Sequence, residues 1–378
     1  MKGKIKNLTK FILVALVLPF LFPYTGDTAE APPTKDSNSS SMAQKEDKPE
    51  APDEKDSKKS PWFVTPLLSS DPKISTAAGA LAGYVHQFDE ESPPSLLGLF
   101  GTYSTTDSYY YGAFAQTYSG KDKHRLTAAL VTGIVRNDYS DFLGSGLNVQ
   151  TTDAIHLIAL RYVYRIYGHW YLGPQIISTN YAISGDNAFS GEIIEGIGLS
   201  GFDSNGLGLA AQYDSRDNQY SPSSGQVFEV HNIAYREDFG GDDSFDSYNA
   251  DYQYYLPHGE GHVLALHAKG KWTRNAPPSG YSSVDLRGYT SGQYLSPHMT
   301  MAEADERYSL TEKWGVAAFA GIAVLYGDDS LEGDDRLFPA VGAGVFYQLN
   351  DEKMVVRGDY AIGKDGNHGF YLVFGQPF

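Results

Sequence analysis

SYNADYQYYL, residues 247–256, sets Tyr248, Ala250, Tyr252, Tyr254 and Leu256 on one side of an extended chain and Ser247, Asn249, Asp251 and Gln253 on the other. Side chains that alternate with a period of two mark a strand with one apolar and one polar face. The same reading holds outward from there. Leu207, Leu209, Ala211 and Tyr213 oppose Gly208, Ala210, Gln212 and Asp214, and Met354, Val356, Tyr360 and Ile362 oppose Arg357 and Asp359. Charges fall on one consistent side. From residue 75 the chain divides into sixteen such segments, from 75–88 and 95–106 through 190–202 and 206–216 to 353–363 and 368–378, with Gly, Asp, Asn, Pro or Ser between them. In this count residues 138–151 join two strands on the periplasmic side.

Composition agrees. Among 378 residues there are 40 Gly, 28 Tyr and 19 Phe but 5 Met, a usage suited to strands and turns. The mean hydropathy is negative, so the chain has no set of long apolar helices to span a bilayer. A net charge of −17 argues against binding a phosphate backbone, so no nucleic-acid partner is expected. The absence of cysteine excludes disulfides, thiolate metal sites and a cysteine nucleophile.

The N-terminus divides from the rest. Lys2, Lys4, Lys6 and Lys10 precede an apolar run from Phe11 to Phe22, and Ala29-Glu30-Ala31 supplies small residues for cleavage, so residues 1–31 read as a signal peptide. Residues 32–60 contain no aromatic and Met42 as their only large apolar side chain, which is too little to offset the entropy of ordering them. They read as a disordered periplasmic linker, and 61–378 as the folded unit. Sixteen amphipathic strands, an even number, close into an antiparallel barrel without unpaired edges, the form that hydrocarbon tolerates. A soluble sandwich would need a larger apolar interior, and no repeat of propeller length recurs. The expected fold is therefore an all-β, 16-stranded antiparallel transmembrane barrel, exported to a bacterial outer membrane and in contact with its lipid. Phe370, Leu372, Phe374 and Phe378 are expected to share one face of the last strand, as a C-terminal signal to the barrel assembly machinery during biogenesis.

Two passages carry a resemblance: Tyr213-Asp214-Ser215-Arg216-Asp217 with Pro222 and Gly225, and Asp285-Leu286-Arg287-Gly288-Tyr289-Thr290-Ser291-Gly292. Together they resemble the bacterial surface-antigen superfamily of outer-membrane barrels, which includes the BamA and TamA assembly factors and the two-partner secretion transporters. The resemblance is good over 206–378 and rests on strand count over 75–205. It implies that Asp214, Arg216, Asp217, Pro222 and Gly225 form a periplasmic turn. It also implies that Arg287, Gly288 and Tyr289 tip a sixth extracellular loop folded back into the lumen. Glu303-Ala304-Asp305-Glu306-Arg307 resembles the family's E-x-R strand, with Glu303, Asp305 and Arg307 facing the lumen as partners of Arg287. Independently of family, a guanidinium in a confined lumen needs carboxylates to offset desolvation. Where the family has F-x-D on the next strand, this chain reads Phe319-Ala320-Gly321, which removes one acid. Family assembly factors carry periplasmic POTRA domains, and none is recognisable in this sequence.

The remaining motifs are weak. Gly196, Gly198 and Gly201 match a dinucleotide pattern without a βαβ context, and His258 and His262 flank a short turn rather than lying on one helix face. No catalytic residue, metal or cofactor is expected, so the chain reads as a non-enzyme. The expected function is assistance in polypeptide insertion or passage, with a client polypeptide and a periplasmic helper as partners. The alternative is a passive cation-preferring channel or a structural surface antigen, in which an acidic lumen attracts cations.

Overall fold

The computed structural model describes residues 60–71, 75–139, 148–196, 202–277, 280–289, 294–328, 336–349 and 353–378. The signal peptide and linker expected before Ser60 lie outside them, as do Thr290, Ser291 and Gly292. Eleven strands come first: β1 (Trp62–Asp71), β2 (Ser75–His86), β3 (Ser95–Ser104), β4 (Tyr109–Ser119), β5 (His124–Tyr139), β6 (Val149–Tyr167), β7 (Trp170–Gly185), β8 (Phe202–Asp214), β9 (Gly225–Tyr235), β10 (Phe245–His258) and β11 (His262–Arg274). A two-rung hairpin of β12 (Ser282–Ser283) and β13 (Leu295–Ser296) lies in the following connection. Then come β14 (His298–Ser309), β15 (Trp314–Tyr326), β16 (Leu337–Gln348), β17 (Val355–Gly363) and β18 (His368–Phe374). All but β12 and β13 form one closed antiparallel barrel of sixteen strands. Alternation sets the two faces. Leu97, Leu99, Leu207, Leu209, Val341 and Val345 project outward, whereas their sequence neighbours on the inner face are mostly covered.

The strand count agrees with the sequence reading through two errors that cancel. β1 was not expected, because WFVTPLLSSD is interrupted by Pro66 and lacks clean alternation. A strand is expected at 190–202, but 190–196 belong to helix α1 (Ala188–Gly196), Phe202 begins β8, and 197–201 lie outside the described residues. Asn187 begins α1, its Oδ1 accepting the Ser190 N–H at 2.9 Å. Ile193 and Ile194 pack on the apolar side chains inside the barrel. Adjacent isoleucines suit neither period well, which is why the pattern misled. With β1 counted, the connection between β5 and β6 moves to the same end as the 275–297 loop. Its length is thereby explained, since short turns are needed only at the opposite end. We call these the loop end and the tail end.

The interior is far from an open tube. Leu81, Phe100, Val131, Ile155, Leu157 and Ile233 belong to one buried apolar cluster that takes in Ile194 of α1 and Leu295 of the loop. Nearer the tail end, Met354, expected on the outer face, is turned inward and packs with Leu96 and Tyr220. The closing seam is the weakest joint. Among the described residues β1 and β18 register only through Ser69 with Tyr371 and Ser70 with Phe370. By contrast, β1 pairs with β2 from Trp62–Tyr84 to Asp71–Ser75.

The unexpected first strand gives a direct test. A chain refolded into detergent from Ser60 onward should migrate on a gel as a compact, heat-modifiable barrel. One beginning at Ser75 has fifteen strands, cannot close antiparallel, and should lose that behaviour; retention of it would show that β1 is dispensable.

Candidate functional site

Inside the barrel, six charged side chains meet. Alternation on β14 turns Glu303, Asp305 and Arg307 inward, and on β17 it turns Arg357 and Asp359 inward. Arg287 descends to them from the 275–297 loop. All six are nearly sealed from solvent: Arg287 is 1% exposed, Asp305, Arg357 and Asp359 0%. Asp305 is the hub. Its carboxylate accepts from Arg357 at 2.9 and 2.6 Å, from Arg287 at 2.9 Å and from Arg307 at 3.2 Å. Asp359 accepts from Arg357 at 2.7 Å and also from Arg287, and Glu303 accepts from Arg287. Three guanidiniums therefore face three side-chain carboxylates. Such pairing is what burial of charge demands, because one unpaired ion in this surrounding costs several kcal/mol.

Arg287 has a further partner. Its guanidinium carbon lies 3.3 Å from the centroid of the Phe319 ring, a stacked cation on an aromatic face. The missing acid at Gly321 is explained by the same packing. A Cβ at Gly321 would sit 2.8 Å from Leu286 Cδ2 and 3.1 Å from Glu303 Cγ, so the loop fills the space an acid would need. Asp359, two strands away, supplies the carboxylate instead.

The loop tip is tied beyond Arg287. Gly288, with φ of +96°, donates its N–H to Tyr371 Oη of β18 at 2.7 Å. That φ lies in the region open mainly to glycine. A Cβ would also sit 3.0 Å from the Gly363 nitrogen. The Tyr289 hydroxyl donates to the Pro339 carbonyl and accepts the Lys364 N–H at 2.9 Å, while its ring meets Phe338 edge to face. Residues 287–289 thus touch β14 through β18, the whole wall on one side of the seam.

The second motif builds the connection from β8 to β9. Asp214 accepts from Arg216 at 2.9 and 3.0 Å and from Arg125 of β5 at 2.6 Å. Burial opposes ionisation of Asp217. Hydrogen bonds from the Ser223 hydroxyl and from the N–H groups of Ser223 and Ser224 nevertheless hold its carboxyl below the usual carboxylate range. Pro222 presents its carbonyl to Arg307 at 3.4 Å. Gly225 has φ of +95°, and a Cβ there would lie 2.2 Å from the Ser215 carbonyl oxygen, so no other residue fits.

The model of the Omp85 superfamily domain matches residues 102–378. The chain belongs to the Omp85 superfamily. Solved structures of this Omp85 barrel's fold include BamA from Haemophilus ducreyi lacking POTRA domains 1–3, at a TM-score of 0.52 and 12% identity over 84% of this chain and 70% of that one. CdiB from Acinetobacter baumannii aligns at 0.56 and 11% identity, and CdiB from Escherichia coli at 0.57 and 9%. Each alignment covers 83% of this chain, but 59% and 62% of the respective CdiB chains, so the chain spans less than two thirds of either. No curated protein matches the sequence. The chain is thus an outer-membrane β-barrel of the Omp85 superfamily, as its motifs indicated.

Two features of this Omp85 barrel differ from the sequence reading. Phe378 does not lie on the face of Phe370 and Leu372. The strand ends at Phe374, Gly375 takes a φ of +93°, and the chain turns into the lumen. There Phe378 is 2% exposed beside Tyr255, Val263 and Ala265, and its main-chain oxygen accepts from Arg307. Nor did the sequence reveal Arg357, Asp359 and Phe319 as part of the cluster. Arg357 and Asp359 were visible as inward charges, but nothing in a single chain says which inward acid meets which inward base.

Removing one member of the cluster leaves others buried without compensation, at about 3–5 kcal/mol. Arg287→Ala, Asp305→Asn and Arg357→Ala should each lower the temperature of heat modification on gels, with Asp305→Asn the most damaging because three guanidiniums lose their shared counter-charge and meet an NH2 donor where one carboxylate oxygen was. Gly321→Asp should also destabilise, and Leu286→Ala in the same chain should relieve it. Unchanged melting in Asp305→Asn would contradict the pairing.

Proposed function

We propose that this Omp85 barrel helps to insert or pass polypeptide, and that it works by parting its β1–β18 seam rather than through a standing pore. The seam carries this reading: among the described residues two registered pairs join its strands, so it is the joint whose rupture sacrifices the fewest ladder hydrogen bonds. In this reading Arg287, Gly288 and Tyr289 are the lumen anchor of the sixth extracellular loop. Glu303, Asp305 and Arg307 are its inner-wall partners, and the turn of Asp214, Arg216, Asp217, Pro222 and Gly225 faces the periplasm. The anchor holds β14–β18 together as one rigid wall, leaving motion to the seam beside it. Phe370, Leu372 and Phe374 form the signal read by the barrel assembly machinery. Client polypeptide and a periplasmic helper are the partners, outer-membrane lipid is the surrounding, and no catalytic step or cofactor is involved.

The passive cation channel has less support. The inner acids of the cluster are matched one for one by arginines, and apolar side chains occupy part of the lumen.

In planar lipid bilayers the protein should show rare, brief openings. A Ser70→Cys/Phe370→Cys disulfide, formed in a chain otherwise free of cysteine, should abolish them, and reductant should restore them. A large, steady, cation-selective conductance indifferent to the disulfide would establish the channel instead. Depletion of the protein in its host should reduce other surface proteins, and an unchanged census would remove the assembly role.

A further inference from the structure

The connection between β8 and β9, residues 215–224, starts from the wall opposite the seam, since β8 and β9 lie halfway round the sixteen-strand circle from β1 and β18. It does not stay there. Tyr220 is 8% exposed and packs with Leu96 of β3 and Met354 of the β16–β17 turn, with Phe63 of β1 against the same cluster. Its hydroxyl donates to the Pro94 carbonyl in the β2–β3 turn at 2.7 Å. Leu96, Phe63 and Pro94 tie it to the β1 side of the seam, whereas Met354 belongs to the β18 side. On the β18 side, the Gln376 N–H donates to the Tyr220 carbonyl at 3.2 Å, and the Gln376 amide nitrogen lies 3.5 Å from Ser221 Oγ. Ten residues thus cross the tail-end mouth and grip both flanks of the seam.

The crossing segment is preformed. Asn218 Oδ1 accepts the N–H groups of Tyr220 and Ser221 at 2.8 Å each, Asp217 binds those of Ser223 and Ser224, and Arg216 is fixed to Asp214 and Gln219. A loop whose own backbone donors are satisfied internally needs little further ordering to dock, and it keeps its shape when it undocks. It is also wired to the buried cluster. Arg357 donates to both Asp305 and Gln376, and Arg307 to both Asp305 and the Pro222 carbonyl.

We infer that residues 215–224 are a strap that clamps the tail end of the β1–β18 seam, with Tyr220 as its key, and that the seam parts only after the strap lifts. The short β1–β18 ladder is then tolerable because the two seam flanks are joined a second time, through side chains, across the mouth. The inference rests on the seam-opening reading given above. Force on the strap from the tail end, as from a polypeptide entering there, would release both flanks together.

The strap can be tested apart from opening. Hydrogen–deuterium exchange of 215–224 and 375–378 should rise in Tyr220→Ala while the barrel stays heat-modifiable. Tyr220→Phe, which removes the hydroxyl that bonds Pro94 and keeps the ring, should show a smaller rise and serves if the alanine variant does not fold. Unchanged exchange in a folded variant overturns the strap whatever the seam does. In bilayers Tyr220→Ala should raise opening frequency about tenfold, equivalent to ~1.4 kcal/mol. A Ser221→Cys/Gln376→Cys disulfide should suppress openings until reduced. Combining Tyr220→Ala with the Ser70→Cys/Phe370→Cys lock should cancel the gain. If the locked triple variant still opens ten times more often, the segment gates the lumen and does not clamp the seam. If exchange rises as expected but the seam lock never affects conductance, the seam reading fails and the clamp with it, leaving a docked turn.

Discussion

A carboxylate shared among three guanidiniums holds much of this barrel together. In the lumen there is neither enough water to solvate Arg287, Arg307 and Arg357 nor enough distance to keep them from repelling one another, and Asp305 answers both problems at once. Because its donors come from the loop, from its own strand and from β17, the acid fixes the loop depth and the packing of two strands that are not neighbours. Asp359 and Glu303 complete the neutralisation. The position of Leu286, the glycine at 321 and the stacking of Phe319 all follow from where that loop is forced to lie.

Charge and hydrocarbon share the interior. On β14–β18 the cluster around Asp305 lies beside a buried apolar group that includes Leu286, Met299, Met301, Leu325 and Phe338, and β2, β3, β5–β7 and β9 meet inside the barrel through leucine, isoleucine, valine and phenylalanine. A second ionic group lies at the tail end of that half, where Arg125 bridges Asp122 and Asp214 and stacks on Tyr171 at 3.9 Å. Both ends therefore carry protein inside the wall: residues 280–289 and α1 at one, the β8–β9 turn and residues 375–378 at the other.

The barrel was legible in the sequence because alternation is a local property. Tyr248, Tyr252 and Tyr254 announce an outer face without reference to any other strand, and the inward row of Glu303, Asp305 and Arg307 is equally plain. What could not be read depends on contacts distant in the chain. β1 carries Pro66 and weak alternation, and it is a strand because β2 offers it a full ladder. Residues 190–196 have strand-like composition, yet fold within α1, where Ile193 and Ile194 find an apolar interior to enter. Phe378 looks like the fourth member of an aromatic face, and only the turn at Gly375 sends it inward. The partnership of Arg287 with Asp359 spans 72 positions and leaves no local trace.

The apolar lining of β5–β7 bears on how the barrel is put together. On β6, Ile155, Leu157 and Ala159 face inward while Ile158 and Leu160 face outward, so a one-residue slip exchanges aliphatic for aliphatic at little cost. Correct alignment of that wall falls to the few inward polar side chains at its ends, Asp153 with Asn137 and Arg161 with Gln175 and Glu229. The charged half has no such freedom, since displacing β14 by one residue would swing Asp305 into lipid. The chain therefore carries a stringent ruler in its C-terminal third and a permissive one before it, an arrangement that favours setting the later strands first and letting the earlier ones slide into place against them.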